Sequence, residues 1–157
     1  MVMKKKHFWF MQEAFIEAKK AFEKGEVPVG AVAVIDDKIV ARAHNNTENS
    51  QLFFSHAEFL VLIEVNRQLR SYRMNMVNIY VTLEPCMMCF GALIQSRVNK
   101  IYYSASNINF NFYNNFLYTY NNLKYHEKFV KLFIFESESQ NILRKFFANL
   151  RYKQSYN

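Results

Sequence analysis

The sequence predicts an α/β fold in which helices pack on a mixed sheet, and three observations carry that expectation. Some stretches place apolar residues at helical spacing, and others run as short β-branched blocks. The two kinds alternate along the chain, and turn residues separate them.

Residues 8–24 read as an amphipathic helix: Met11, Phe15, Ala18 and Phe22 recur on one face, and Gly25 follows as a stop. The block from Val29 to Ile35 is apolar and β-branched, Asp36-Asp37 makes a turn, and Lys38 to Ala43 completes a hairpin. Polar residues 44–51 form a loop, and a helix over 56–69 offers Leu60, Val61 and Ile63 for burial. Val77 to Leu83 is a third strand. Pro85 suits the first turn of a helix running to about Gln95, because its missing N–H costs nothing there. Lys100 to Ala105 forms a fourth strand, Phe129 to Phe135 a fifth, and Ser139 to Tyr152 a closing helix. The uncharged, Asn-rich and aromatic stretch 101–123 gives no assignment beyond its first residues. No repeat or linker divides the chain, so residues 1–157 are expected to form a single domain.

Half of the chain is apolar (51%), enough for a real core and unlike a disordered sequence. A formal charge of +7 favours a polyanionic partner, since Lys and Arg gain affinity by releasing phosphate counterions. Residues 141–157 carry Arg144, Lys145, Arg151 and Lys153 with no acid, and Lys4, Lys5 and Lys6 lie near the other end. The two ends could form one basic surface or stay as solvated termini. The apolar run Phe8 to Met11 is too short for a signal peptide, and Val27 to Ile35 is too short for a membrane helix. Two cysteines three apart are no secreted disulfide framework, so a cytoplasmic, reducing compartment is expected.

The chemistry lies in His56-Ala57-Glu58 and Pro85-Cys86-Met87-Met88-Cys89. Thiols three apart at a helix start share one side of the first turn, and the helix N-terminus favours their ionised form. With one imidazole they make a His/Cys/Cys set suited to zinc. Three protein ligands leave a fourth position for water, the catalytic pattern, whereas structural sites use four. Glu58 follows His56 by two, and such residues converge only if the helix begins at about that point. Glu58 then reads as an acid/base beside the metal rather than as a ligand.

Blander readings exist for these residues. A Cys-x-x-Cys can be a redox pair, but it would not usually follow Glu84-Pro85 beside a His-x-Glu helix. It can also be half of a structural zinc site completed by His44, but the order and gaps are wrong for a zinc finger. Both cysteines and one of only two prolines fall in a single motif, which favours a catalytic site.

His-Ala-Glu followed by Pro-Cys-x-x-Cys matches the zinc deaminase pattern. The flanking residues Glu26 to Val32, Tyr80 to Cys89, Gly91-Ala92, Ser96-Arg97 and Leu143 to Phe147 resemble the bacterial tRNA-specific adenosine deaminases over nearly the whole chain. The resemblance implies a three-layer α/β/α fold of the cytidine deaminase type around a five-stranded mixed sheet. It also implies a homodimer that converts the wobble adenosine of a tRNA anticodon stem-loop to inosine. Carried over by residue, it makes His56, Cys86 and Cys89 the ligands of one Zn2+ per subunit and Glu58 the proton shuttle. Asn45 would hydrogen-bond the base, with Val29, Ala57 and Asn107 as further substrate-binding positions.

Two segments depart from the family. Leu52, Phe53, Phe54 and Ser55 replace the usual small residues before the His-Ala-Glu motif. The loop Ser104 to Phe112 replaces an acidic, glycine-rich, lysine-bearing one, and the family's acidic position falls at Asn107. The zinc chemistry would serve a cytosine, guanine or free-nucleotide deaminase equally well. A non-catalytic, zinc-stabilised RNA-binding subunit is a further alternative, against which an intact Glu58 counts.

Overall fold

In the computed structural model, which describes residues 2–107 and 126–155, the element order is helix, hairpin, two helices, strand, helix, two strands, helix. Helix α1 spans Val2–Glu23, strand β1 Gly30–Ile35 and strand β2 Lys38–His44. Helices α2 (Thr47–Ser50) and α3 (Ala57–Leu69) follow, then β3 (Asn78–Leu83), α4 (Met87–Gln95) and β4 (Lys100–Ala105). A 3-10 turn at His126–Lys128 leads into β5 (Phe129–Lys131), and α5 spans Glu136–Ser155.

The five strands form one mixed sheet in the order β2-β1-β3-β4-β5. Strand β1 runs antiparallel to both β2 and β3, whereas β4 runs parallel to β3 and to β5. Asp36 and Asp37 both have positive φ (46° and 60°), as a tight hairpin turn demands.

Strand β1 is apolar throughout because both its faces are covered. Ala31 and Ala33 face Val61, Val65 and Leu93 of α3 and α4, while Val32 and Val34 face Phe10, Met11 and Ala14 of α1. Alternation along the strand thus builds two core layers, one on each side. Gly30 is required by the close approach of α1, since a Cβ there would lie 2.2 Å from the Ala14 carbonyl oxygen.

Four details differ from the sequence reading. Helix α1 begins well before residue 8, and His7 reaches the sheet through a 2.8 Å hydrogen bond between its Nδ1 and the Tyr80 hydroxyl. The loop after β2 contains the short helix α2. Pro85 precedes the N-cap of α4 and is not in its first turn, because Cys86 takes extended backbone (ψ 170°) there. Strand β5 ends at Lys131, and the chain then turns at Phe135 (φ 58°) into α5, three residues earlier than expected. The expected loop beyond Asn107, including residues 108–112, lies outside the described residues.

Candidate active site

The strand register brings the functional segments to one edge of the sheet. Gly30 pairs with His44, Ala31 with Val81, and Leu83 with Ala105. The residues just beyond those pairs, Val29, Asn45, Glu84 and Asn107, therefore gather at the carboxyl end of β3 and β4. Ligands bind at that edge in open α/β sheets.

The amino ends of α3 and α4 point into the same region. His56 is the N-cap of α3 and Cys86 the N-cap of α4, both in extended backbone, and neither side chain caps its own helix. The start of α3 at Ala57 is what lets His56 and Glu58 converge. His56 Nδ1 lies 3.5 Å from Cys86 Sγ and 3.6 Å from Cys89 Sγ. One ligand atom from each of the three residues lies within 4.8 Å of the others. A tetrahedral ion with bonds of ~2.3 Å to sulfur and ~2.0 Å to nitrogen holds those atoms about 3.5 Å apart, so the donor set fits zinc. Both cysteines are free thiols. His44 is turned elsewhere, with Nδ1 2.8 Å from Glu17 Oε2 and Nε2 3.0 Å from Lys24 Nζ, so it does not complete a four-ligand site.

Hydrogen bonds couple the three donors, and Cys86 is the one driven toward the ionised form that a metal needs. The Cys89 thiol donates to Cys86 and, against the opposing effect of burial, pulls the Cys86 thiol down to about 4, with His56 adding to it. Cys89 is pushed up by the same hydrogen bond and by burial. Contact with Cys86 raises His56. Glu58 is buried (4% exposed), and burial above all pushes its carboxyl up to about 7.

A cavity of about 1050 Å³ opens over these groups. His56, Glu58, Cys86, Val29, Asn45 and Asn107 all line it. Ala57 does not: its side chain is in the core, and its N–H donates to Asn45 Oδ1 at 2.8 Å. The side-chain oxygen Glu84 Oε2 accepts the Asn107 N–H at 3.0 Å, which fixes where residue 107 meets the cavity.

The far wall belongs to α5, whose Leu143, Arg144, Phe147 and Arg151 line the cavity. Of the two readings of the chain ends, a joint basic surface or solvated termini, Lys6 bears on the first: it pairs with Asp37 at the hairpin end of β1, opposite Val29. Sequence reasoning missed Glu84, although its place beside Pro85 and Cys86 was a usable signal. It also missed Glu26, a lone acid among Gly25, Val27 and Val29 that is 1% exposed. Among the described residues, no helix is long and apolar enough to cross a membrane.

Comparison with known proteins gives the arrangement a context. The sequence profile of the MafB19-like deaminases matches residues 5–151. The tRNA-specific adenosine deaminase of Bacillus subtilis is 44% identical over 150 residues, covering 92% of this chain and 91% of that protein. A solved structure from work on A-to-I editing by tRNA A34 deaminases superposes with a TM-score of 0.61 at 40% identity, over 62% of this chain and 71% of that one. The guanine deaminase of Nitrosomonas europaea shares the fold, with a TM-score of 0.72 at 17% identity over 88% of this chain and 83% of that one.

Proposed function

This chain belongs to the MafB19-like deaminase family, and from that membership we propose that it converts adenosine to inosine at the wobble position of a tRNA anticodon. Deaminases of this family are zinc-dependent in general, and the observation that carries the reading is a buried Glu58 beside a zinc-compatible His/Cys/Cys set, inside one cavity.

His56, Cys86 and Cys89 would hold one zinc ion per subunit. When bound, the ion supplies the Lewis acidity that makes water a nucleophile at neutral pH. Glu58 takes a proton from the attacking water and passes it to the ring nitrogen beside the reacting carbon. It then takes the proton of the added hydroxyl and passes it to the amino group, which leaves as ammonia. Burial raises this carboxyl, which favours a group that can hold a proton between the two transfers. The side-chain oxygen of Asn45 is engaged by Ala57, which leaves Nδ2 to donate to an acceptor on the base. Val29 and Asn107 both line the cavity, where Val29 would pack against the base plane and Asn107 would meet the ribose.

Two observations favour RNA over a free nucleobase. A cavity of about 1050 Å³ far exceeds one base, and its α5 wall carries Arg144 and Arg151. The identity to the Bacillus subtilis enzyme supports tRNA in particular. The family resemblance further supports a homodimeric, cytoplasmic enzyme, which sedimentation and fractionation would test. The decisive experiment incubates zinc-loaded protein with an anticodon stem-loop bearing adenosine at the wobble position. Inosine should form, with little turnover of free adenosine, cytidine, cytosine or guanine; preferred turnover of a free base would reverse the reading.

A further inference from the structure

Glu26 is a buried carboxylate that the mechanism leaves unused. It is 1% exposed, and among the described residues no cation pairs with it. Instead it accepts three N–H bonds: Oε2 from the Glu48 backbone at 3.1 Å, and Oε1 from the Asn49 backbone at 2.7 Å and from Asn49 Nδ2 at 2.6 Å. Helix α2 begins just before those amides, and Asn46 at its N-cap makes no side-chain cap bond. Glu26 supplies that cap from another part of the chain. Hydrogen bonds to a carboxylate are about twice as strong as neutral ones.

The capped segment is the one that presents Asn45 and His56. Its neck is tied by the Asn46 N–H to the Ser55 carbonyl at 2.9 Å, and by the Ala57 N–H to Asn45 Oδ1 at 2.8 Å. Its middle is held by Glu26. The chain after Glu26 continues directly into Val27 and Val29, which line the cavity, and the Val29 carbonyl accepts the Asn45 N–H at 3.1 Å. One short stretch, 26–29, therefore grips the same loop twice, once by a side chain and once by its backbone.

We propose that Glu26 is a positioning residue for the target base, setting the place of Asn45 against Val29 by fixing the loop that Asn45 opens. The proposal rests on the deaminase reading above. Glu26→Gln keeps the size but turns a donor amide toward donor N–H groups, so the loop should loosen without a cavity. Misplacement of a binding group by about an ångström costs up to ~10²-fold, so kcat/KM for the stem-loop RNA should fall by about tenfold or more.

The test is a double-mutant cycle with Asn45→Ala, read as kcat/KM on the RNA and as RNA affinity in a Glu58→Ala background. Zinc content and amide exchange of Glu48 and Asn49 are followed alongside. If Glu26 acts through Asn45, its substitution should weaken both readouts in the parent and neither in the Asn45→Ala background. It should also speed the exchange of those two amides while zinc content holds. Equal losses in both backgrounds, or a Glu26→Gln variant within twofold of the parent, would overturn the proposal. Should Glu26→Gln fail to fold, Asn49→Ala removes only the side-chain bond and goes through the same cycle, with the same outcomes deciding. Turnover by the parent protein tests the deaminase reading separately.

Discussion

Asn45 Oδ1 accepts the backbone N–H of Ala57 at 2.8 Å, so the residue expected to hold the base also caps the helix that carries Glu58. The two roles use different atoms and can be separated. Asn45→Ala should leave the buried Ala57 N–H without an acceptor, at a cost of about 1–3 kcal/mol, and should also lose base binding. Asn45→Asp keeps the acceptor and places a negative charge at a helix amino end, where it is favourable. It should stay within about 1 kcal/mol of the parent in stability yet lose turnover, because the Nδ2 donor is gone. Thermal unfolding and inosine formation measured on both variants check this. Equal destabilisation by the two would show that the Ala57 bond does not carry the cap.

The metal centre and the acid/base should also come apart. His56→Ala and Cys86→Ala each remove one of three donors and should lose zinc and activity together, as metal analysis of the purified variants would report. Glu58→Gln should retain zinc and RNA binding while kcat falls by at least ~10²–10⁴-fold, the usual scale for acid–base work. A variant that turns over within a few-fold of the parent would remove Glu58 from the mechanism.

The metal-binding pattern was legible because the chemistry needs particular residue types at fixed spacing, and the hairpin because Asp36 and Asp37 tolerate positive φ. Strand β1 was legible because burial on both faces leaves it no polar position. What escaped was set by tertiary contact. The lysines at the start of α1 hide its helical continuation to His7, whose partner Tyr80 is 73 residues away. Helix α2 has only four residues and is capped by Glu26, which no local pattern announces. That α5 lines the cavity depends on where the chain turns at Phe135, and the composition of the helix reveals only that it is basic.

A pH prediction follows from the Glu17 carboxylate, which is remote from the cysteines. Burial pushes its pKa up, but hydrogen bonds from Lys20 and His44, and their charges, win and hold it below its ordinary value of 4.5. A carboxyl depressed in the folded state contributes stability above its unfolded pKa and loses it as pH falls through the folded one. The wild type should therefore be more stable than Glu17→Gln at neutral pH, and the gap should close as pH drops below about 4.5. Denaturant unfolding at a series of pH values tests this; a gap independent of pH would mean the ion pairs add nothing.

The position of α5 sharpens the role of its charges. Arg144 and Arg151 line the cavity, whereas Lys145 is exposed and does not. Neutralising either arginine should weaken RNA binding and flatten the logarithmic salt dependence by about 0.7 for each phosphate that the side chain had neutralised. Neutralising Lys145 should leave the slope unchanged. A common slope for all three variants would place the arginines in solvent rather than on phosphate.

Asn107 should loosen the discrimination between RNA and DNA. It lines the cavity proposed to take the target nucleotide, and its N–H is held by Glu84 Oε2 at 3.0 Å. A carboxylate here would accept a hydrogen bond from a ribose 2′-OH, the group by which proteins tell RNA from DNA. On a DNA strand that carboxylate would lose its partner while still desolvated, which costs more than losing a bond to a neutral amide. Asn107 offers a carbonyl acceptor with no charge, so a deoxyribose should be penalised less. Glu84 adds a second effect, because it also lines the cavity: Asn107→Asp would give that wall a second carboxyl, and repulsion between the two would strengthen the demand for a donor. Turnover of matched RNA and DNA stem-loops by the wild type and by Asn107→Asp measures the effect. The RNA preference should rise in the variant, and an unchanged ratio of the two rates would show that residue 107 does not read the sugar.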